Sequence, residues 1–577
     1  MEILKNQFKK YFVFSVAAYI DFFIRFLFLS LSSSIIIFLG LPIYGTSDDN
    51  VLAGFVDGSY TGEREKRLIF IRPLIGNILY FLQGIFPGVG MYSTFLTLVV
   101  ILSFSIFGTV ITTIQSDRNS KNIFQYSWYS ISFVTILWFT LTPTYTAASI
   151  LVTVLILMTI TLYIFMPTMR KNYFTPVTLG ILFSCGFLIR PEGALGVLAV
   201  SIGVFLYLGF KFKNINFRSL AIIILTFFIF VLSDYILQKS SSNSDWEKYD
   251  RWNGLRHQVQ HRVSQNYLGN LREQINWSIP EYHLFMDLSF GDEKIFNYEW
   301  LKPGFELTNF TRGVNGVLHV NKTDNILKVF NLLQNYYYLV LLQFIIAILY
   351  FSRLSFTLKQ KIILITSVWS TFLAALYWTT ATLHTPDRSV FPLLLLPTIF
   401  LLTLAGTPLS INRVKGGPMF NATIATLVII ISVSTLSSLT ETIKYNLEYK
   451  NSANILKGEL NEFSKNGVFV GPGGTEIYET RNPFIGKAQW ESPKMITVGS
   501  WDTFSPYWYK RIDLLDLTGD SIYESLFNEK TYWLSPIVPD TAYMVELFLK
   551  ENHYPNANRE NIINFSQGEV LFKFLPK

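Results

Sequence analysis

The sequence predicts a polytopic α-helical membrane protein with a soluble C-terminal domain. Three observations predict it. Apolar runs of about 20 residues recur up to residue 438, half of the 577 residues are hydrophobic, and only 15% are charged. An ordinary soluble domain carries roughly 25% charged residues. A helix rises about 1.5 Å per residue, so each run is long enough for about 30 Å of hydrocarbon.

The elements follow in order. The N-terminus, "MEILKNQFKKYFVF", is basic and then apolar, with no small-residue cleavage site; it reads as an uncleaved anchor. Apolar segments follow at 25–43, 91–115, 124–142, 146–166, 175–189, 194–210, 219–238, 333–352, 362–381, 390–405 and 422–438, which predicts about eleven transmembrane helices. The stretch 71–86 is apolar but ends in "GIFPGVG". Pro and Gly interrupt a helix there, so it lies along the surface or dips in and returns.

Lys and Arg orient the spans. Lys5, Lys9 and Lys10 mark one side, and the alternate loops carry Arg118 and Lys121, Arg170 and Lys171, Lys211, Lys213 and Arg218, Arg353, Lys359 and Lys361, and Arg413 and Lys415. Only Glu2 and Asp117 accompany them. The expectation is a cytoplasmic N-terminus in a bacterial plasma membrane. Residues 1–440 then form the membrane module, with extracytoplasmic loops 41–73 and 239–332. Residues 441–577 form an extracytoplasmic α/β or α+β domain. In it, "NGVFVGPGG", "KMITVGS" and "EVLFKFL" read as strands, and "SANILKGELNEFS" and "DTAYMVELFLKEN" as helices.

The composition excludes some classes. The formal charge of +7 is dispersed, with no dense basic run interleaved with aromatics, so no nucleic-acid partner is implied. The single cysteine, Cys185, sits in an apolar run and reads as a small buried hydrophobe. "GPGG" (471–474) lacks a Lys-Ser/Thr partner and reads as a turn.

The polar motifs gather on the extracytoplasmic side. "GTSDDN" places Asp48 and Asp49 just beyond the first span. Ser47 or an Asp would cap a following helix; the pair would also suit a general base or a divalent ion, Mg or Mn. Adjacent helical residues point about 100° apart, so one carboxylate acts and the other orients it. "LIRPEGAL" sets Arg190 and Glu192 between two apolar runs. They pair at a hairpin turn, or Arg190 binds an anion.

"HTPDRS" brings His384, Asp387 and Arg388 together. Asp387 caps a helix while Arg388 snorkels, or Arg388 and His384 cradle a lipid phosphate with Asp387 in support. Arg64, Lys66 and Arg67 suit anionic headgroups, whereas Arg72 sits among apolar residues and needs a partner. Trp246 and Trp252 suit a membrane–water boundary. His257 and His261 share a helical face but lack a third zinc ligand. "SWDTFSPYWYK" (500–510) would stack sugars or fill a core. Asp21 and Arg25, four apart, are expected to pair.

These features together resemble the GT-C superfamily of membrane glycosyltransferases, which includes protein O-mannosyltransferases, aminoarabinose transferases and mycobacterial arabinofuranosyltransferases. The shared marks are the acid pair after the first span, a long first outer loop with a broken helix, "RPEG" at a hairpin, a second long outer loop and an outer C-terminal domain. The resemblance covers spans one to seven best and rests on architecture and short motifs. It implies transfer of a sugar from a polyprenyl-phosphate or polyprenyl-diphosphate carrier to an extracytoplasmic glycan, lipid or polymer. Asp48 or Asp49 would serve as base, with Arg72, Arg190, Arg388 and His384 at the donor phosphate, Glu192 and Asp387 in support, and no cofactor required. "RPEG" and "HTPDR" align with no single subfamily, so the donor sugar stays open. The alternatives are a flippase or transporter of lipid-linked oligosaccharide, which would want charges deep within spans, or an O-antigen-type polymerase or ligase.

Overall fold

The computed structural model describes residues 2–114, 118–165, 174–199, 201, 216–262, 276–314, 418–473, 480–486, 493–517, 521–536 and 541–576, with 366, 369, 373, 392 and 393. Helices α1 (Glu2–Phe38), α2 (Ser47–Asp57), α3 (Pro73–Ile85), α4 (Met91–Ile114), α5 (Arg118–Leu141), α6 (Tyr145–Phe165) and α7 (Phe174–Ile189) come first. A sharp bend of 116° at Arg190 separates α7 from α8 (Pro191–Ala199). Then come α9 (Phe217–Ser241), α10 (Ser244–Arg262), α11 (Ile279–Met286), α12 (Tyr298–Val314) and α13 (Pro418–Phe463).

Among the described residues, Val16–Phe38, Met91–Thr113, Tyr145–Ile164 and Phe217–Ser241 are long and apolar enough to cross a membrane. The bent α7–α8 pair makes a fifth if taken as one span. The expected spans at 333–352, 362–381 and 390–405 lie almost wholly outside the described residues. The chain is an integral membrane protein by these helices. The span within α6 is 100% buried and that within α9 only 11%. So α6 is the axis of the bundle, while α9 turns Leu225, Phe228, Ile229 and Leu232 outward, as a lipid-facing helix does.

The last expected span, 422–438, is not a helix of its own. It continues as the single 46-residue α13, about 70 Å long at 1.5 Å per residue. The expected helix "SANILKGELNEFS" is the end of this shaft, not an element of its own. Asn446 Nδ2 on it donates to Leu41 O (3.1 Å) and Leu141 O (3.3 Å), binding it to the ends of α1 and α5.

The C-terminal domain holds a mixed sheet in the order β2-β1-β3-β5-β4. Its strands are β1 (Val468–Gly471), β2 (Lys494–Thr497), β3 (Thr531–Pro536), β4 (Asn558–Asn564) and β5 (Glu569–Leu575). β1 runs parallel to β2 and β3, and β5 antiparallel to β3 and β4. Every residue of β1 is buried, which is why "VFVG" is apolar throughout rather than alternating. Helices α14 (Pro506–Leu514) and α15 (Thr541–Asn552) complete the domain.

Two glycines fix how α2 enters. A Cβ on Gly45 would lie 2.6 Å from Thr144 Cγ2 and 3.2 Å from Thr142 O, so only glycine lets this segment close on the start of α6. Gly58 ends α2 at φ +77°, in the left-handed region that glycine enters freely. The cap itself corrects an expectation. Thr46, not Ser47 or an aspartate, caps α2, its hydroxyl accepting from the Asp49 N–H at 3.3 Å. Both aspartates lie in the first turn, where the helix dipole favours negative charge.

Candidate active site

Asp49 is fully buried, and its carboxylate accepts from three donors. Tyr92 Oη donates to Oδ1 at 2.7 Å, the Tyr145 backbone N–H donates to Oδ1 at 2.8 Å, and Thr46 Oγ1 donates to Oδ2 at 2.6 Å. The Tyr145 N–H opens α6, so the carboxylate also sits against the positive end of that helix. These N–H and O–H donors converge on one carboxylate and fix its orientation. Among the described residues, no three of His, Cys, Asp and Glu gather to hold a metal.

Tyr145 is the hinge of the site. While its N–H serves Asp49, its hydroxyl accepts from Arg190 Nη1 at 2.7 Å. The same nitrogen donates to Thr146 Oγ1 at 2.7 Å, and the guanidinium lies 5.0 Å from the Tyr145 ring centroid. Arg190 sits at the α7–α8 bend, where Ser149 Oγ donates to its carbonyl at 2.9 Å. Its side chain stays 29% exposed, and Glu192, 77% exposed, stands 4.0 Å away. That contact is long and solvated, so Glu192 is a weak partner. Arg72 joins the same region. Its backbone N–H donates to Leu188 O at 3.0 Å, two residues before the bend. Its Nη1 donates to Gln238 Oε1 at 3.1 Å, which supplies the partner the sequence demanded. Asp234 Oδ1 accepts the Leu74 N–H next to it at 2.9 Å.

Asp48 has a different surrounding. It is half-buried, and it interacts electrostatically with Arg256 of α10 and Asp502 of the C-terminal domain. Asp502 is fully buried and accepts from Tyr60 Oη at 2.6 Å and from Ser500 Oγ. Burial pushes its carboxyl up to about 6. Arg256 is buried too, with Nη2 on Asn253 Oδ1 at 2.7 Å, and burial lowers its basicity.

Aromatic contacts run from this roof to Tyr145. Trp501 packs on Phe70 at 4.7 Å between centroids, and Phe70 stacks on Tyr145 at 5.9 Å and 2°. Tyr249 Oη of α10 donates to the Trp501 carbonyl at 2.5 Å.

Several expectations are settled by packing. Trp246 and Trp252 do not mark a lipid boundary. Both are buried, Trp246 against Tyr507 at 4.8 Å, and Trp252 donating from Nε1 to Phe296 O at 2.7 Å. In "SWDTFSPYWYK" Trp501, Phe504, Tyr507 and Trp508 are buried, so the segment fills a core. Arg67 is not free for headgroups, pairing with Asp250 at 2.7 Å and lying over Trp246. Arg64 and Lys66 lie over the Tyr80 ring. Asp21 and Arg25 do pair, at 2.8 Å, and Cys185 is buried. His384, Asp387 and Arg388 lie outside the described residues.

Sequence reasoning missed Tyr145, Tyr92, Arg256 and Asp502. In the sequence, Tyr145 lies in "TPTYT" (142–146), a short polar break between two apolar runs. No local pattern marks a tyrosine whose backbone and hydroxyl serve different partners.

Neither a family model nor a curated protein matches the chain. Among solved structures it is similar to ArnT from Cupriavidus metallidurans in the apo state, at 11% identity and a TM-score of 0.41, over 95% of this chain and 97% of that one. At that level no residue and no role is carried across.

Proposed function

We propose that the protein is a membrane glycosyltransferase of the GT-C type, taking a sugar from a polyprenyl-phosphate or polyprenyl-diphosphate carrier to an extracytoplasmic acceptor. The observation that carries this reading is the Tyr145 bridge. It joins the helix of the acid pair to Arg190, residues far apart in sequence, at one end of the buried α6, with Arg72 alongside. The motifs shared with the superfamily support the same assignment. An extracytoplasmic site meets no nucleotide sugar, so the donor comes on a lipid with phosphate as its leaving group.

In the proposed reaction Asp48 removes the proton of an acceptor hydroxyl, whose oxygen forms a bond to the anomeric carbon. The bond from that carbon to the phosphate oxygen breaks, and its electron pair leaves with the phosphate. Arg190 and Arg72 stabilise the charge that develops there. Asp49, buried and fully donated to, orients α2 and Tyr145 rather than touching substrate. Arg388 and His384, with Asp387, complete the phosphate site in this reading. The arginines carry the phosphate charge, so no metal is required. The flippase alternative would use the Asp21–Arg25 pair in the α1 span, about 20 Å along the helix from its Phe38 end.

The test is a transfer assay with purified protein in nanodiscs and a radiolabelled polyprenyl-phosphate sugar, with and without acceptor. Label appearing on acceptor or water supports the enzyme. Movement of intact lipid-linked sugar between leaflets, with no label released, overturns it.

A further inference from the structure

We propose that Arg481 of the C-terminal domain is a positioning residue for the acid pair, so that this domain is an integral wall of the site rather than a separate acceptor module. The proposal rests on the reading of α2 as the catalytic helix. Arg481 is buried, and its guanidinium reaches both ends of α2. Near the start of the helix, Nε donates to Asn50 Oδ1 at 2.8 Å and Nη2 to Asn50 O at 3.0 Å. At its end, Nη1 donates to Asp57 Oδ2 at 3.1 Å and to Ser59 Oγ at 3.2 Å. Ser59 in turn donates to Asp57 Oδ1 from its N–H at 2.9 Å and from its hydroxyl.

Asn50 directly follows Asp49. An arginine nitrogen can only donate, so Arg481 dictates that the Asn50 amide turns its oxygen inward. Asn50 Nδ2 is then buried with no acceptor among the described residues. Such a donor is tolerated in a fold only where something compensates it. One side chain therefore sets the axial position of α2, its tilt and the amide orientation beside Asp49. A compact ammonium could neutralise Asp57, but it lacks the planar fork that serves Asn50 at the same time.

The experiment uses the full-length protein in nanodiscs. Arg481→Lys keeps the charge opposite Asp57. The double variant R481Q/D57N removes both charges, so that no buried carboxylate is left alone. Sugar transfer is measured as kcat and donor KM, and hydrogen exchange is followed in peptides covering 47–57 and the C-terminal strands. The expected result for both variants is a kcat at least about tenfold lower, since misplacement by about 1 Å can cost a hundredfold. Donor KM should stay within about twofold of the parent, because misplacement acts on the oriented reacting groups and leaves Arg190 and Arg72 in place. Exchange should be faster in 47–57, with the strands still protected. Unchanged kcat in both variants, a loss confined to KM, or unchanged exchange in 47–57 would overturn the proposal. So would loss of protection throughout the strands in both, which would make Arg481 a folding residue. If the parent transfers no sugar, the assigned function fails on its own, and the exchange of 47–57 still decides whether Arg481 holds α2.

Discussion

Asp48→Asn and Asp49→Asn should fail in different ways, because the two carboxylates stand in different surroundings. Asp48 is half-buried. Replacing it removes the base, worth roughly 10²–10⁴-fold in rate, while the attraction to Arg256 that is lost is offset by the repulsion from Asp502 that is relieved. Asp49 is buried under donors from Tyr92, Tyr145 and Thr46. An Asn there keeps one acceptor oxygen, which can still serve Tyr92 and Tyr145. It loses the bond from Thr46, about 1.5–3 kcal/mol for a charged acceptor, and the interaction with the α6 dipole, about 0.3–1 kcal/mol. The sum is about 2–4 kcal/mol, a fall of a few degrees in Tm. The assay pairs sugar transfer with thermal unfolding followed by tryptophan fluorescence. The predicted pattern is Asp48→Asn with at least about a hundredfold lower kcat at parental Tm, and Asp49→Asn with a lowered Tm as well. Near-parental transfer in Asp48→Asn, with a dead but thermally unchanged Asp49→Asn, would refute the assignment and make Asp49 the base.

Three further outcomes follow. Tyr145→Phe keeps the ring stack and the N–H to Asp49 but removes the hydroxyl that Arg190 holds; kcat should fall about tenfold, equivalent to about 1.4 kcal/mol, and Arg190→Lys further, read by the same transfer assay. His553 faces Asp292 Oδ2 at 2.7 Å from Nε2 and Glu524 Oε1 at 3.3 Å from Nδ1, and the bond to Asp292 raises it above the usual histidine range. Its stabilisation is fully present below about 6.5 and fades as pH rises through the raised folded value, so H553Q should be less stable than the parent in thermal unfolding at pH 6 and converge with it at pH 9. Asp502, raised to about 6 by burial, binds its proton more tightly folded than unfolded. Stability should therefore fall by about 3 kcal/mol between roughly pH 4 and 6, and D502N should flatten that slope in chemical denaturation.

The four long apolar helices, Val16–Phe38, Met91–Thr113, Tyr145–Ile164 and Phe217–Ser241, were readable because hydrophobic run length is a one-dimensional signal. The same holds for β1, β2 and β5, whose apolar residues are contiguous or nearly so. β4, "NRENIIN", was not readable, since it is an edge strand with exposed, mostly polar residues. The continuity of α13 was hidden because its composition changes from apolar to charged after about residue 438 while its backbone stays helical. The acid pair, Arg72 and Arg190 could be nominated from sequence because charge beside apolar runs is costly and needs a reason. Their assembly could not. It depends on Tyr145 acting through both backbone and hydroxyl, and on Arg481, 424 residues from Asp57. Trp246 and Trp252 show the reverse error. Tryptophan at a hydrophilic boundary suits both a headgroup layer and a packed core, and only the neighbours Tyr507 and Phe296 decide.

The most direct measurement is a cryo-electron microscopy map of the protein in nanodiscs loaded with a polyprenyl phosphate. The account predicts phosphate density against the guanidinium groups of Arg190 and Arg72, on the side of Asp48 and at the α2 end of the bundle. Phosphate density bound elsewhere, with Arg190 still closed on Tyr145 and no lipid near Asp48, would contradict it.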